Sequence, residues 1–456
     1  MKEAIIGISA FYHDSAAVLI VGNEIIAAAQ EERFTRIKHD CSFPLNAIKY
    51  ILSEYYISSN NIKFIAFYEK PFLKFERLLE TYHSFAPLGL KSFLSAIPLW
   101  IKEKLFIKKF LKEELAKISP HLINAKLLFP EHHFSHAASA FYPSPFENAA
   151  ILTIDGVGEW STTTISFGEN ENITILKELH FPHSLGLLYS AFTYYCGFHV
   201  NSGEYKLMGL ASYGNPTSEN TKLWKKLILD ELIDLREDVS YLLNMDYFSF
   251  ATGLSMCNEK KMKSLFGISL RKPETEILQE YMDLALAIQQ VTEEVILRLA
   301  KTAKKITNSK NLVMAGGVAL NCVANGKLLR KKIFDDIWIQ PAAGDAGGAL
   351  GAALIAYYTS GNKRVVNKED SMSGAYLGPK FHSEEILKTA RYYNASYKYY
   401  FIFQNLADEV ANLLAQGNII GWFQGRMEFG PRALGNRSIL GDARLYDIQK
   451  RLNFNP

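Results

Sequence analysis

Cysteine is scarce in this chain, and its residues lie far apart in the sequence. They form no CxxC pair and no plausible disulfide framework, which favours a reducing compartment. An apolar strand begins at Ala4 and leaves no room for a signal peptide, so we expect a cytoplasmic protein. The cysteines are Cys41, Cys196, Cys257 and Cys322.

Long apolar runs and an excess of one charge are also absent. No apolar run reaches the roughly 18 residues that a membrane span requires. The formal net charge of +3 gives little reason to expect a nucleic-acid partner. With 456 residues, 48% of them hydrophobic, the chain is long enough for two or three domains with substantial cores.

Histidines recur at helical spacing near the middle of the N-terminal half. His132 and His136 are four residues apart, which places both imidazoles on one face of a helix. Two neutral imidazoles in this arrangement can share a divalent metal ion. In isolation, such a pair is more often a chance feature of a polar helix face.

Two aspartates elsewhere in the sequence make a metal site a better explanation of these histidines than chance. Asp155 follows an apolar strand that starts at Ala149, and Asp345 lies in a glycine-rich segment. We interpret both segments as strand-to-turn loops of a nucleotide-binding fold. Two His and two Asp would form a metal site with room for ligand oxygens. The candidate metal ligands are therefore His132, His136, Asp155 and Asp345.

Two strand patterns of the same kind occur in the N-terminal region. Residues 4–9, 16–21 and 25–30 indicate three consecutive strands with a polar turn after the first. A similar pattern starts at residue 149 and continues through 161–166 and 173–179. The first pattern resembles the opening of the actin, sugar-kinase and heat-shock ATPase superfamily, and its repetition predicts two related lobes around a cleft.

Glycines mark segments whose backbone could approach a ligand. The segment 203–214 is one of them, although an ordinary glycine-punctuated loop explains it equally well. A Gly-Gly pair between a strand and a helix start suits an adenosine or phosphate group held by backbone N–H groups. The candidate nucleotide-binding residues are Gly156, Gly203, Glu204, Lys206, Gly316, Gly317, Asn321 and Gly344.

The residues around 68–125 indicate a helical insertion whose second half is basic and amphipathic. Such a helix is typical of a membrane-surface or partner-binding element. We favour packing of its apolar face on its own domain or on a second copy in a homodimer.

A linker rich in turn-forming and charged residues at 358–375 separates residues 1–357 from a second region, 376–456. Three arginines lie there within twelve residues, beside glycines and Pro431. Arginine presents a planar fork that matches phosphate and carboxylate oxygens. A solvated surface with ion pairs is the alternative, but the glycines and the proline favour a shaped loop. The arginines are Arg426, Arg432 and Arg437.

Several motifs together closely resemble the O-carbamoyltransferases of nodulation-factor, cephamycin and aminoglycoside biosynthesis. They run in order from residue 5 to residue 444, so the resemblance covers nearly the whole chain. The segments that carry it are Phe11–Ser15, Glu31–Asp40, His132–His136, Glu204–Ala211, Gly316–Asn321 and Gly425–Ser438.

The resemblance implies an α/β protein of two parts. Residues 1–357 are similar to the tRNA threonylcarbamoyl transferase fold of the actin-like superfamily, which implies a divalent metal, usually Fe²⁺, on the four candidate ligands, with His133 behind them or unliganded. Residues 376–456 are similar to threonylcarbamoyl-AMP synthase. There, carbamoyl phosphate would react with ATP to give carbamoyl-AMP and pyrophosphate, with the three arginines as contacts of carbamoyl phosphate. A hydroxyl of a small-molecule or sugar acceptor would then attack the adenylate and release AMP.

The second step calls for a general base at the acceptor hydroxyl, worth about 10²–10⁴-fold in rate. We expect His13 to be this base, Asp14 to orient it and Lys38 to supply a positive contact in the same cleft. A turn histidine with a structural hydrogen bond is an equally good explanation of His13.

One feature departs from the family pattern. The family's second domain continues past the arginine-rich segment with a basic, Phe-Pro-rich motif that this sequence does not contain. We therefore expect an incomplete second domain that exposes core surface and makes carbamoyl-AMP poorly or not at all. A threonylcarbamoyl transferase acting on tRNA, an actin-like sugar kinase and a remnant that only binds nucleotide are the alternatives.

Overall fold

The computed structural model describes residues 3–55, 61–101 and 106–454. The chain divides into two compact units, Met1–Ser371 and Met372–Pro456. The division falls inside the predicted linker, because residues up to 371 pack with the first unit.

The first unit opens with a five-stranded sheet of order β3-β2-β1-β4-β5. Its first three strands form an antiparallel meander, and β4 and β5 extend the sheet in parallel with β1. The predicted meander is confirmed. The strands are β1 Ala4–Ser9, β2 Ala16–Val21, β3 Glu24–Gln30, β4 Ile62–Phe67 and β5 Lys126–Leu128.

A second five-stranded sheet, of order β12-β11-β6-β7-β8, repeats this arrangement. Strands β6, β7 and β8 form the antiparallel meander, and β11 and β12 run parallel to β6. The two sheets are therefore topological copies in an α/β unit, as the repeated strand pattern predicted. The strands are β6 Asn148–Ile154, β7 Ser161–Glu169, β8 Asn172–His180, β11 Asn311–Ala315 and β12 Asp336–Ile339, with a separate pair β9 Ile233–Leu235 and β10 Tyr241–Leu243.

Helices connect these strands and cover the sheets. Helix α11 buries its apolar face along most of its length. The helices are α1 Glu32–Thr35, α2 Leu45–Glu54, α3 Pro71–Ser84, α4 Leu90–Leu99, α5 Ile107–Ile118, α6 His132–Phe141, α7 Leu185–Tyr195, α8 Glu204–Ala211, α9 Glu219–Leu227, α10 Glu259–Phe266, α11 Gln279–Thr307, α12 Cys322–Arg330 and α13 Asp345–Thr359.

Between β4 and β5 the described residues are largely helical and form α3, α4 and α5. The apolar face of α5 is buried within its own unit through Ile107, Leu111 and Leu115. This burial supports packing on the same domain, the first of the two arrangements that the sequence analysis favoured. None of the helices in the described part of the chain combines the length and the apolar character that crossing a membrane would require.

Helix α13 lies unusually close to α6 and β1 because small residues line the contact. A Cβ atom at Gly351 would lie 1.7 Å from the Ser135 carbonyl oxygen, and one at Gly7 would lie 1.8 Å from the Ala349 oxygen. The segment that begins at Gly344 was predicted as a loop, and that prediction is wrong. Its glycines lie in the first turns of α13, where they allow close helix packing.

The segment 203–214 also differs from the prediction of a glycine-punctuated loop. Residues Glu204–Ala211 form α8, and Gly203 precedes its first turn. A Cβ atom at Gly203 would lie 2.5 Å from the His199 oxygen, so this glycine serves a tight turn rather than an open loop.

The described residues of the second unit form three α-helices, a short 3-10 helix at Ser373–Ala375 and an antiparallel strand pair. Helices α14 and α15 bury none of their residues. The elements are α14 Ser383–Tyr392, α15 Phe403–Ala415, β13 Ile420–Phe423, β14 Arg437–Leu440 and α16 Ile448–Phe454.

Candidate metal centre

Three elements of the first unit bring the four predicted metal ligands together. His132 and His136 lie one turn apart on α6, Asp155 follows β6, and Asp345 begins α13. One nitrogen or oxygen from each side chain lies within 4.8 Å of the other three. The close packing of α13 on α6 is what carries Asp345 to the two histidines.

The distances show a tight cluster around Asp155. Its Oδ2 lies 2.9 Å from His132 Nε2 and 3.4 Å from His136 Nε2. Asp345 Oδ1 lies 3.6 Å and 3.8 Å from the same two nitrogens. Both imidazoles and Asp345 are almost completely buried.

The electrostatics of the cluster favour a cation. Burial opposes the charge on Asp155, but contacts with His132 and His136 hold its pKa well below its usual range. Burial also opposes a charged His132, yet Asp345 and the hydrogen bond to Asp155 raise its pKa to about 9. The two carboxylates thus draw positive charge into a buried site. Imidazole nitrogens and carboxylate oxygens are the donors of iron, zinc and manganese sites, so the residues present fit a divalent transition metal.

His133 faces away from this cluster. Its Nδ1 lies 2.7 Å from Thr153 Oγ1. Burial lowers its pKa well below the usual value, so the imidazole is neutral. His133 is therefore placed behind the ligands, as one of the two predicted arrangements requires.

The Gly316-Gly317 pair closes on the same site from the neighbouring strand. The Gly317 N–H donates to Asp155 Oδ1 at 2.9 Å. Gly316 has a φ of 90°, and a Cβ atom there would lie 2.3 Å from the Ile154 oxygen. The glycine pair therefore holds Oδ1 of Asp155, the oxygen that does not face the two histidines. That this pair binds a nucleotide stays a prediction.

The other candidate nucleotide residues lie on separate elements. The Asn321 side chain accepts from Ala324 N–H, which caps α12, and donates to Gln289. Glu204 accepts from Ser190 Oγ at 2.6 Å and from Asn201 N–H at 3.0 Å. Their polar atoms thus already serve the fold. Lys206 is exposed, while Gly156 follows Asp155 and Gly344 precedes α13.

His13 lies beside the candidate metal cluster in the turn after β1. Its Nε2 is 3.6 Å from Asp345 Oδ2, and its Nδ1 donates to Asp14 Oδ2 at 2.9 Å. Burial opposes the charged form of His13, but Asp345 and Asp14 raise its pKa to about 9. Lys38 is exposed, and it is the adjacent His39 whose Nδ1 contacts Asp14 Oδ1 at 2.9 Å. Asp14 therefore lies between two imidazoles.

Backbone strain accompanies this arrangement. Phe11, Asp14 and His39 have positive φ values of 74°, 53° and 56°. Such conformations cost about 1–3 kcal/mol each and persist where the surroundings hold them. The turn is held by hydrogen bonds from Phe11 N–H to the Cys41 oxygen and from Ser15 N–H to the Asp40 oxygen.

In the second unit, the arginine-rich segment folds around the buried carboxylate of Glu428. Its Oε1 accepts from the N–H groups of Leu434, Asn436 and Arg437. Arg426 donates to the Leu377 and Gly378 oxygens, and Arg437 reaches the Gly430 and Arg432 oxygens. The shaped loop expected from the glycines is present. Its contact with carbamoyl phosphate stays a prediction.

Two family models match this chain. Carbamoyltransferase N-terminus matches residues 4–354, and Carbamoyltransferase C-terminus matches residues 411–455. The chain belongs to the carbamoyltransferase family. The first match covers all four candidate ligands of the chain, and the second covers its arginine-rich loop.

Three relatives illustrate the range of similarity. The uncharacterized protein sll1178 of Synechocystis sp. is 56% identical over 98% of this chain and 72% of its own length. The nodulation protein NolNO of Sinorhizobium fredii is 35% identical over 97% of this chain and 60% of its own length. The 3'-hydroxymethylcephem-O-carbamoyltransferase of Amycolatopsis lactamdurans is 26% identical over 55% of this chain and 42% of its own length. The chain thus spans only part of the length of each of these relatives.

Two residues near the site were not indicated by the sequence patterns. His39 follows the predicted Lys38, and its contact with Asp14 depends on a turn that only the folded chain shows. Glu159 lies four residues after Asp155, and its carboxylate accepts from the His132 N–H. The one signal in the sequence was that His39 and Glu159 each lie within four residues of a predicted site residue.

Proposed function

We propose that this chain is an ATP-dependent O-carbamoyltransferase. It uses carbamoyl phosphate, water and ATP to form carbamoyl-AMP, with release of inorganic phosphate and pyrophosphate, and passes the carbamoyl group to a hydroxyl of a small-molecule or sugar acceptor, which releases AMP. The observation that carries the proposal is the convergence of His132, His136, Asp155 and Asp345 in a chain of the carbamoyltransferase family. Two relatives, a nodulation protein and a cephem O-carbamoyltransferase, support a small-molecule acceptor.

The first unit would hold the divalent metal, with Fe²⁺ as the proposed ion, on His132, His136, Asp155 and Asp345. A metal bound there supplies Lewis-acid polarisation of a phosphate or carbamoyl oxygen. Asp155 is well suited to a fixed ligand role because Gly317 N–H already holds its other oxygen.

His13 is the proposed base for the acceptor hydroxyl. Its Nδ1 is oriented by Asp14, so Nε2 is directed toward the side of the site where Asp345 lies. A cation held by Asp345 would offset the charge that raises the pKa of His13, so that a neutral Nε2 takes the hydroxyl proton as the new bond to the carbamoyl carbon forms and the bond to AMP breaks. Lys38 is the proposed positive contact for the same substrates.

Nucleotide and carbamoyl phosphate are assigned to the glycine segments and the arginine loop. Gly316 and Gly317 approach Asp155 through their backbone, which supports an adenylate beside the metal. In the second unit, Arg432 with Arg426 and Arg437 would neutralise the charge of carbamoyl phosphate, which reduces its repulsion from ATP.

The products of ATP turnover test this function. The protein is incubated with Fe²⁺, ATP, labelled carbamoyl phosphate and a panel of hydroxylated sugars, and both the nucleotide product and the labelled acceptor are measured. We expect AMP, pyrophosphate, inorganic phosphate and a carbamoylated acceptor, formed more slowly than by the longer relative NolNO and all lost in Asp155→Asn. The exposed carboxylate of Asp246 offers a matched control, and Asp246→Asn should keep the activity. ADP as the product, with a phosphorylated acceptor, would instead identify a kinase.

A further inference from the structure

Glu159 is a buried carboxylate just outside the candidate ligand set. It is 6% exposed and lies on the connection between β6 and β7, four residues after Asp155. Its oxygens accept from two backbone N–H groups that belong to other parts of the first unit. Such burial of a carboxylate is costly unless hydrogen bonds compensate it.

One of these bonds fixes the first turn of the helix that carries both histidines. The His132 N–H lies 3.1 Å from Glu159 Oε1 and 3.0 Å from Oε2. His132 is the first residue of α6, and its N–H has no acceptor within the helix. The side chain of the N-cap residue Glu131 makes no capping bond, so Glu159 supplies the acceptor from a distant part of the sequence. A negative charge at this end also suits the helix dipole.

The other bond joins the same carboxylate to the residue that precedes α3. The Lys70 N–H, which immediately precedes α3, donates to Glu159 Oε1 at 2.7 Å. Just before Lys70, the Tyr68 ring contacts the His132 ring edge-on, with centroids 5.4 Å apart. Glu69 Oε2 lies 3.9 Å from His132 Nδ1. Glu159 therefore joins the backbone of His132 to a neighbouring segment whose side chains, those of Tyr68 and Glu69, lie beside the His132 ring.

A neighbouring contact restrains the same connection. The Arg77 guanidinium of α3 donates to the Gly158 oxygen at 2.7 Å. A Cβ atom at Gly158 would lie 3.1 Å from His132 Cβ, so this loop and the start of α6 are in close contact. One short loop thus carries a candidate ligand, Asp155, and the carboxylate that braces a second ligand.

We propose that Glu159 is a positioning residue for the metal site, and this inference rests on the proposed metal-binding function. Its carboxylate fixes the backbone of His132, which holds His132 Nε2 at its place beside Asp155 and Asp345. Loss of the carboxylate should weaken metal binding without removing any ligand. Changes outside the ligand set typically cost about 10–100-fold in metal affinity.

Glu31 provides a matched control within the same unit. It is 1% exposed, and its carboxylate accepts from the Asn46 N–H at 3.1 Å and the Ala47 N–H at 2.8 Å in the first turn of α2. Glu31 and Glu159 thus perform the same structural task on two helices, but α2 carries no candidate metal ligand.

The test measures Co²⁺ affinity of the full chain by competition with a chelating dye, and it records the absorption spectrum of the bound ion. We expect Glu159→Ala to bind Co²⁺ about 10–100-fold more weakly with an altered spectrum, and Glu159→Gln to lose less because its amide oxygen can still accept. Glu31→Ala should lower the unfolding temperature but keep the affinity and the spectrum.

The outcomes distinguish the positioning role of Glu159 from the proposed metal-binding function. Wild-type affinity and spectrum in both Glu159 variants would overturn the positioning role and leave the metal site intact. An equal loss of affinity in Glu31→Ala would overturn it too, because the effect would then be one of general stability. A wild-type protein that binds no Co²⁺, Fe²⁺ or Zn²⁺ would overturn the proposed metal function itself. If Glu159→Ala does not fold, Glu159→Gln takes its place: a measurable loss of Co²⁺ affinity with an altered spectrum supports the positioning role, and wild-type affinity and spectrum overturn it.

Discussion

His136 Nε2 lies 3.1 Å from His132 Nε2, on consecutive turns of a buried helix. Two nitrogens at this distance, with two carboxylates beside them, are arranged to bind one metal ion together. We expect His136→Ala to lose more metal affinity than any change outside the ligand set, that is, more than about 100-fold. Equilibrium dialysis with Fe²⁺ or Zn²⁺ measures this. His133→Ala is the matched variant on the same helix, and similar losses in both would contradict the assignment of ligands.

The contact between α13 and α6 makes a prediction about Gly351. A methyl group there would meet the Ser135 oxygen, so Gly351→Ala should push the two helices apart and lower the free energy of unfolding by about 1–3 kcal/mol. Since α13 carries Asp345, metal affinity should fall as well. Gly209 of α8 has open space around its Cβ position, and Gly209→Ala should stabilise the protein by about 0.5–1 kcal/mol. Urea titration of both variants measures the difference, and equal effects would argue against the close contact.

Arg364 joins the predicted linker to the end of α6. Its guanidinium donates to the oxygens of Phe141, Phe146 and Ser144 and lies 4.1 Å from the Phe141 ring centroid. Arg364→Ala would leave these carbonyl groups without the donor, so we expect a loss of about 2–4 kcal/mol in the free energy of unfolding.

The neighbouring Lys363 supplies the control for this change. It is largely exposed and pairs with Glu171 on the surface, so Lys363→Ala should cost at most about 1 kcal/mol. Thermal unfolding of the two variants separates these expectations, and a destabilisation of Arg364→Ala no larger than that of Lys363→Ala would refute the anchoring role.

Cysteine reactivity reports on the fold of the first unit. Burial raises the pKa of Cys196 to about 12 and that of Cys257 to about 12, whereas Cys41 and Cys322 are exposed. Because the thiolate is the reactive form, a thiol reagent at pH 8 should modify the two exposed residues rapidly and the other two only after unfolding. Mass spectrometry of the labelled peptides identifies the sites. Rapid labelling of Cys196 in the native protein would contradict its placement.

His39 should affect catalysis without affecting the metal. It contacts the Asp14 oxygen opposite to the one that orients His13, so His39→Ala should leave Asp14 less well fixed. We expect carbamoyl transfer to slow by about 10-fold, a fraction of the roughly 10²–10⁴-fold that a general base provides. Unchanged Co²⁺ affinity in the same variant separates this effect from damage to the metal site. An unchanged turnover number would show that Asp14 needs no second imidazole.

The sequence predicted the elements that carry the candidate ligands because their signals are local. The four-residue spacing of His132 and His136 matches the helical period, and the apolar run before Asp155 is long enough for a buried strand. The repeated meander likewise predicted two related sheets. Patterns of this kind depend only on neighbouring residues.

Glycine-rich segments were predicted less well, because a glycine serves a loop and a close helix contact equally. Gly347 and Gly348 lie within α13, and Gly209 lies within α8, although the sequence favoured loops at both places. Only the tertiary contact between α13 and α6 decides the conformation there. The roles of Glu159 and Glu428 were also invisible, since their hydrogen-bond partners depend on the folded backbone.

The location of a bound metal tests the central claim most directly. Crystals grown anaerobically with Fe²⁺ would be measured at X-ray energies on both sides of the iron absorption edge. The account predicts one anomalous peak within about 2.0–2.2 Å of His132 Nε2, His136 Nε2 and an oxygen from each of Asp155 and Asp345. A peak held by other residues, or none at this site in protein that contains one iron per chain, would contradict it.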